Sequence, residues 1–362
     1  MNISRPSTRY LELDSLRGLA AMIVVYHHFR NMFFSQTDPS SFLQNVLLHP
    51  LASGFESVRL FFVLSGFVLA LPYLSGRQKP YPKFVLGRVA RIYGPYLFAL
   101  ALAVGGALIW HGQLTAFDWA RGCWNNPVSW KLVLQHILFL GNYDHAEYNV
   151  AFWSLIVEMK VSLIFPLLVL FVRYTRVSVQ AATVLVLVIV SQRLMHPILH
   201  PEDLSAFLIG VMLAKYRGQI QMLWLRSRLW ARASFMLASL IAFFCNLHPI
   251  GFMWHIGALP IILGAAGIIV FSLNSTRVQG LLKMRVPVFL GKISFSLYLV
   301  HNTVLFALTA VLQGKHPYFF LPIYLTAAIA LAYLFYLAIE KPFTELSKWV
   351  SSVRRVAVEV AA

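Results

Sequence analysis

Long apolar stretches separated by short charged clusters constrain this chain more than any other feature of its sequence. The stretches run for roughly 17–25 residues, the length at which an α-helix crosses about 30 Å of hydrocarbon. Charged residues make up 12% of the 362-residue chain, about half the fraction usual in soluble domains. They are too few to form the charged surface that a soluble domain of this size needs. The pattern therefore predicts an all-α, polytopic transmembrane bundle.

The apolar stretches predict ten membrane spans and one shorter helix. The stretch from Lys131 to Leu140 is too short to cross a bilayer and is predicted to be an interfacial or re-entrant helix. The sequence contains no internal repeat or low-complexity tract, so we predict a single membrane domain over residues 1–362. The predicted spans cover residues 13–34, 56–75, 93–111, 151–172, 178–194, 203–217, 229–246, 253–273, 289–312 and 317–340.

The distribution of Lys and Arg predicts the orientation of the bundle. If the N-terminus is cytoplasmic, most of the 30 basic residues fall in alternate, cytoplasmic loops. This predicts a cytoplasmic N-terminus (1–12) and a cytoplasmic C-terminal tail (341–362). We expect the first span to remain as an anchor, because no small-residue cleavage site follows it. The net charge of +17 is distributed between hydrophobic spans, so the predicted partner is the lipid bilayer and not nucleic acid.

Cysteine and histidine usage indicates neither a disulfide framework nor a metal site. Cys123 and Cys245 are the two cysteines, and both are expected on the outer side, either as free thiols or as a single bridge. The 12 histidines include no pair with ligand spacing and a carboxylate or thiolate partner. No metal is therefore predicted.

Ionisable residues inside the predicted spans mark the candidate functional positions, because each costs about 2.5–3.5 kcal/mol on insertion scales. His28 and Glu158 are predicted at a similar depth, about 8–10 Å below the outer face. A carboxylate at that level could orient the imidazole for general-base catalysis on a hydroxyl. The first span contains Asp14, Arg17, His27 and His28, the fourth contains Glu158 and Lys160, and the ninth contains His301.

Asp14, Arg17 and His28 share one face of the first predicted helix, since Arg17 precedes His28 by 11 residues. The stripe predicts a path from a cytoplasmic acid and guanidinium to an imidazole about 16 Å deeper. Alternatively, Asp14 and Arg17 pair with each other while His28 hydrogen-bonds a neighbouring helix. Arg88 and Arg91, three residues apart, would form a forked anion site on one helix face. They would equally serve as positive-inside anchors of the third span.

A series of motifs extends along nearly the whole chain. Together, and in this order, the motifs resemble the membrane-bound acyltransferase 3 family of integral membrane O-acyltransferases. The opening motif of that family has an arginine, ten residues and a histidine, which are matched here by Arg17 and His28. The motifs are LDSLRGLAAMIVVYHHF (Leu13–Phe29), LFFVLSGFVLA (Leu60–Ala70), the arginine pair in GRVARIYGPYL, FWSLIVEMKVSLIFP (Phe152–Pro166), LSAFLIGVMLA, GKISFSLYLVH (Gly291–His301) and IEKPF (Ile339–Phe343).

The resemblance implies transfer of an acyl group, most often acetyl, from cytoplasmic acyl-CoA to a hydroxyl of a glycan, a lipid-linked sugar or a small molecule. Acyl-CoA would be a donor substrate and not a permanently bound cofactor. We expect a multi-pass protein of a bacterial inner membrane. The predicted site consists of the catalytic residues His28, Glu158 and Asp14, the donor-binding residues Arg17, Arg88 and Arg91, and the substrate-binding residues Ser65, Trp153, Ser154 and His301.

Two positions depart from the family pattern, and two other function classes fit parts of the sequence. Arg59 stands where the family often has an acidic residue, and Lys160 stands where it often has an aromatic residue. Both positions lie toward the outer half of the predicted spans, so the identity of the acyl acceptor is left open. A transporter would also explain ten spans with intramembrane charges. However, the chain lacks inverted repeats and paired Gly/Pro-broken helices. A membrane scaffold would leave the stripe from Arg17 to His28 without a cause.

Overall fold

The computed structural model describes residues 10–34, 49–139, 144, 146–193, 200–245, 258–312 and 317–352, and over these residues the chain is helical and contains no strand. Helices lie at each of the ten predicted span positions. The helices are α1 (Leu11–Phe33), α2 (Gly54–Leu74), α3 (Tyr81–Arg88), α4 (Gly94–Trp110), α5 (Trp130–Leu138), α6 (Phe152–Tyr174), α7 (Val177–Ser191), α8 (Pro201–Arg226), α9 (Leu229–Phe243), α10 (Leu259–Asn274), α11 (Thr276–Leu282), α12 (Arg285–Val311), α13 (Pro317–Phe335) and α14 (Lys341–Val350).

The predicted count of ten spans is not confirmed. Within the described residues, five helices are long and apolar enough to cross a membrane, or six if α10 and α11, which meet at 94°, form one broken span. Helices α7 and α9 have 15 residues each and would cover only about 22 Å. Several charged residues lie along α1 and α8. The five apolar helices establish a multi-pass membrane protein, with the orientation of its termini still a prediction.

Three predicted boundaries are wrong in ways that bear on the site. The third span begins at Tyr81, 12 residues earlier than predicted, and continues to Trp110 through a π-helical turn at Val89–Tyr93. The last span does not end at residue 340, because a second π-helical turn (Tyr336–Glu340) joins α13 to α14. Helix α8 extends to Arg226, beyond the predicted end at 217.

Other predictions fall partly outside the described residues. The short helix between the third and fourth spans is present as α5, with the Ser129 side chain accepting a hydrogen bond from the Leu132 backbone N–H. The predicted N-terminus (1–12), the end of the C-terminal tail and the first residues of the predicted span 253–273 lie in large part outside the described residues.

Helix α1 crosses α12 at very short range through glycines. A Cβ atom on Gly291 would lie 2.5 Å from the Asp14 carbonyl oxygen, and a Cβ atom on Gly18 would overlap the backbone of residues 290 and 291. Helices α2 and α8 cross in the same way at Gly66 and Gly210. Small residues allow such close backbone approach between membrane helices, where packing is the main attractive force. These two crossings fix the walls of the cavity described next.

Candidate active site

A cavity of about 770 Å³ lies between α1, α2, α6, α12 and the two π-helical turns. Its walls include all three predicted donor-binding arginines, and also Asp14, Glu158, Ser65 and Ser154. The cavity extends from residues at the N-terminal end of α1 and on α14 to aromatic residues inside the bundle. Further lining residues are Leu11, Phe61, Phe62, Lys292, Ser294, Phe295, Tyr298, Tyr336, Glu340, Lys341, Thr344, Glu345 and Lys348.

The two π-helical turns both line this cavity, and an ion pair joins them. Each carries an extra residue per turn and so rotates the side chains that follow it, a feature often found at functional sites. Arg91 in the first turn pairs with Glu340 in the second at 3.3 Å, and it also donates a hydrogen bond to Thr344. Glu340 accepts hydrogen bonds from the backbone N–H and hydroxyl of Ser296, at 3.2 and 2.6 Å. The turns therefore lock α3, α12 and α14 together around one carboxylate.

Arg88 and Glu158 form an ion pair in the wall of the cavity. The guanidinium Nη2 lies 2.7 Å from Oε1 of Glu158, and Ser65 donates a hydrogen bond to the same oxygen at 3.1 Å. Nε of Arg88 donates to the Ser162 hydroxyl at 3.0 Å. Because a charge taken out of water needs a partner, this arrangement neutralises both groups inside the bundle.

The prediction that Glu158 orients His28 is therefore wrong, because Arg88 and Ser65 engage this carboxylate. Arg88 reaches the carboxylate because the third span begins at Tyr81, which places Arg88 two turns inside the helix and not at its start.

Asp14 and Arg17 pair with each other, as the structural alternative predicted. Nη1 of Arg17 lies 3.2 Å from Oδ1 of Asp14, one turn apart on α1. Both side chains line the cavity at the end formed by the first turns of α1. Each of the three predicted donor-binding arginines therefore has a carboxylate partner, and those of Arg88 and Arg91 lie on distant segments that their spacing in the sequence does not reveal.

His28 lies against His301, which the sequence placed only as a substrate-binding residue. Nδ1 of His28 is 2.8 Å from Nε2 of His301, and the two rings lie nearly parallel, edge to edge, with centroids 5.0 Å apart. Nδ1 of His301 is 3.0 Å from the Leu297 carbonyl oxygen. The His28 ring also contacts Trp119, at 5.2 Å between ring centroids. His28 is 8% exposed and His301 is fully buried, so the pair faces protein and not lipid.

The hydrogen-bond chain fixes which nitrogen of His28 is available for chemistry. A carbonyl oxygen only accepts, so Nδ1 of His301 carries a proton and, in the neutral ring, its Nε2 is an acceptor. Nδ1 of His28 must then be the donor in the bond between the two rings. This leaves the lone pair of neutral His28 on Nε2, where it can act as a base.

A layer formed by Tyr298 and Ser154 separates the two histidines from the cavity. Their hydroxyl oxygens are 2.6 Å apart, and Ser154 also donates to the Ala151 carbonyl at 3.1 Å. The Tyr298 ring lines the cavity and lies 5.9 Å from the His301 ring, between centroids. The structure thus places the imidazole pair one side chain beyond the inner end of the cavity.

Trp153 and Arg59 belong to a neighbouring buried cluster and do not line the cavity. The Arg59 guanidinium pairs with Asp203 and, at 2.5 Å, with Glu202, both on α8. It also lies 4.3 Å from the Phe55 ring centroid and 5.9 Å from that of Trp153. Arg59, which departs from the family pattern, thus pairs with two carboxylates at the start of α8. These ion pairs join α2 to α8.

Sequence reasoning missed several residues of the site. Tyr298 and Glu340 fall inside motifs that were identified, but the motifs do not show which of their residues face a cavity. Lys292, Lys341 and Lys348 were interpreted only as positive-inside charges, although all three line the cavity. The sequence signal that could have identified Glu340 as a site residue is its carboxylate at the end of an apolar predicted span.

The described residues outside the cavity offer few other reactive groups. No three His, Cys, Asp or Glu side chains in this part of the chain cluster closely enough to bind a metal ion. Cys123 and Cys245 are separate free thiols. Burial raises the pKa of the Cys123 thiol to about 12, with smaller contributions from Glu147 and Asp144.

Comparison with known proteins gives the family. Residues 10–337 match the family model for the acyltransferase domain of the acyltransferase 3 family. The chain is 27% identical to the acyltransferase MdmB of Streptomyces mycarofaciens over 335 residues, covering 82% of this chain and 80% of that protein. It is 39% identical over 101 residues to protein 2 in the picA locus of Rhizobium radiobacter, covering 27% of this chain and less than half (45%) of the relative. No solved structure matches. The chain belongs to the acyltransferase 3 family of membrane-bound acyltransferases.

Proposed function

We propose that this protein transfers an acyl group, with acetyl as the first candidate, from acyl-CoA on the cytoplasmic side to a hydroxyl of a glycan, a lipid-linked sugar or a small molecule. The observation that carries the proposal is the His28–His301 pair, which leaves Nε2 of a buried imidazole as a base near a large cavity lined by charged and aromatic side chains. Family membership supports the reaction class.

The donor would enter the cavity from the side of α14 and the N-terminal end of α1. The pantetheine arm of CoA is about 20 Å long when extended, so the thioester can reach deep into the bundle. The walls supply hydrogen-bond donors to its amide groups without a large net charge, since Arg17, Arg88 and Arg91 are each paired. The Tyr298–Ser154 layer would have to open for the acyl group to meet His28.

At His28, the chemistry would be general-base catalysis. Nε2 removes the proton of the acceptor hydroxyl as its oxygen attacks the thioester carbonyl. The carbon–sulfur bond then breaks, and the imidazolium returns the proton to the leaving CoA thiolate. His301 keeps Nδ1 of His28 engaged throughout, as the carboxylate or carbonyl partners of other catalytic histidines do. The Tyr298 hydroxyl, on a side chain that lines the cavity, would be a donor for stabilising the oxyanion.

A covalent route uses the same atoms in a different order. Nε2 of His28 attacks the thioester carbonyl, the carbon–sulfur bond breaks, and CoA leaves as a thiolate. The acceptor hydroxyl then takes the acyl group from the imidazole, and its proton balances the thiolate. Only this route catalyses exchange of label between acetyl-CoA and free radiolabelled CoA without acceptor. The exchange assay therefore separates the two routes.

The test of the proposal uses the full-length protein in detergent or nanodiscs. Thiol release from acetyl-CoA is followed with a thiol reagent, in the presence of a glycan and metabolite extract of the host. His28→Ala is expected to abolish release, while His27→Gln, which alters the adjacent imidazole, retains it. Retained activity in a folded His28→Ala protein would remove His28 from the mechanism. Uptake of a glycan into vesicles without thiol release would favour a transporter. Mass analysis of the host's glycans with and without the protein identifies the acceptor.

A further inference from the structure

Three lysines line the end of the cavity that is formed by α14 and the N-terminal end of α1. Lys292 on α12 and Lys341 and Lys348 on α14 line the cavity and are exposed to solvent. Glu345 lines the same end, so the group carries a net charge of about +2 by formal charges. Each of the three arginines that line the cavity, by contrast, lies against a carboxylate. The lysines therefore supply the excess positive charge of the cavity wall.

Helix α14 and the π-helical turn that leads into it connect the three lysines. Lys341 and Lys348 are seven residues apart, almost two full turns, and so lie on one face of α14. Nζ of Lys292 lies 5.1 Å from the ring centroid of Tyr336, in the π-helical turn that leads into α14. Gly291, packed against the Asp14 carbonyl, fixes the backbone beside Lys292.

The distance from these lysines to the histidine pair matches the donor. Lys348 lies about 10 Å along α14 from Lys341, which follows Glu340 directly. Glu340 is hydrogen-bonded to Ser296, and Ser296 is about 8 Å along α12 from His301. The path from Lys348 to His301 is thus about 20 Å, the length of an extended pantetheine arm.

We propose that Lys292, Lys341 and Lys348 bind the 3′-phosphate and pyrophosphate of the CoA donor, and that the three arginines do not. Phosphates need unneutralised cations, and lysine is a common phosphate ligand as a point charge. The arginines instead line the path of the pantetheine arm. This inference rests on the proposed function, because it assigns the subsite of its donor.

The test measures equilibrium binding of CoA, 3′-dephospho-CoA and pantetheine to the full-length protein in nanodiscs. Wild type is expected to bind CoA about tenfold more tightly than 3′-dephospho-CoA. In the triple variant Lys292→Ala, Lys341→Ala, Lys348→Ala this ratio falls toward one, while pantetheine binding is unchanged. Lysine-to-arginine substitution at the same three positions retains the ratio. The matched control replaces Arg226, Arg228 and Arg277 by Ala, since these are exposed, lie outside the cavity lining and remove the same charge.

The outcomes separate the two proposals. A wild-type ratio of one, an unchanged ratio in the lysine variant, or an equal loss in the control would overturn the lysine subsite while CoA binding itself stands. Failure of wild type to bind CoA at all would overturn the proposed function as well. If Arg17→Ala, Arg88→Ala or Arg91→Ala removes the preference for CoA over 3′-dephospho-CoA, the arginines hold the phosphate and the lysine assignment is wrong.

Discussion

Nδ1 of His28 lies 2.8 Å from Nε2 of His301, on a helix 273 residues further along the chain, and the bond sets the tautomer of both rings. This relationship makes His301 a positioning residue for a base that it does not itself supply. It also explains how His28 can be oriented although Glu158 is occupied by Arg88.

The first prediction concerns His301. His301→Ala is expected to lower kcat by roughly 10²-fold, the scale of general-base catalysis, because His28 loses the acceptor that holds its tautomer. KM for acetyl-CoA should change little, since His301 does not line the cavity. His301→Gln, whose amide oxygen can accept from His28, should restore part of kcat. Steady-state kinetics of the two variants check this; an equal kcat for Ala and Gln would contradict a positioning role.

The second prediction concerns the Arg88–Glu158 pair. Glu158→Gln or Arg88→Met alone should destabilise the fold by about 1.5–3 kcal/mol, because each leaves a partly buried charge without its counter-ion. The double variant should recover much of that loss without recovering activity. Thermal unfolding in one detergent measures the cycle, with exposed Arg226→Met as the control. Additive losses in the double variant would show that the pair is not coupled.

The third prediction concerns the crossing of α1 and α12. Gly291→Ala should reduce folded protein and activity strongly, because the new methyl group would lie 2.5 Å from the Asp14 carbonyl oxygen. Gly105→Ala is the matched control, since no atom lies within 4 Å of its added Cβ. There alanine should be neutral or stabilise the helix by about 0.5–1 kcal/mol. Size-exclusion profiles and melting temperatures compare the two; equal stability would mean that the helices separate at little cost.

The fourth prediction concerns pH and the loop before α6. Burial raises the pKa of the Glu147 carboxyl above its ordinary value, although two hydrogen bonds from Asn126 oppose the rise. The folded state then binds this proton more tightly than the unfolded state. The contribution to stability is therefore full below the unfolded pKa and is lost as pH rises through the folded one.

Hydrogen exchange measures this effect at the Trp124 amide, which donates to the Glu147 carbonyl at 3.0 Å. After correction for intrinsic exchange, protection should fall between about pH 4 and neutrality in wild type. In Glu147→Gln the dependence should disappear while the Asn126 contact remains. A dependence of equal size in the variant would assign it to another group.

The helical class, the multi-pass character and the family could be predicted from the sequence, for local physical reasons. Apolar runs of spanning length permit little besides helices, because backbone polar groups in hydrocarbon must be satisfied within the segment. His28, Arg17, Arg88, Arg91, Ser65, Ser154 and Glu158 were also named from charge, depth and motif. The predicted count of ten spans was not confirmed, since helix length alone does not decide whether a helix crosses.

The partners of these residues were decided by tertiary structure. Spacing on one helix predicted the Asp14–Arg17 pair, which involves a single turn, but not His28–His301, Arg88–Glu158 or Arg91–Glu340, each of which joins distant helices. Two π-helical turns rotate the faces of the helices that carry Arg91 and Glu340, and glycine contacts set how closely α1 approaches α12. A sequence fixes which groups a helix carries along its length. Only the packing of the helices determines which opposite charge or lone pair each group meets, because those contacts depend on rotation and separation between segments that share no local bond.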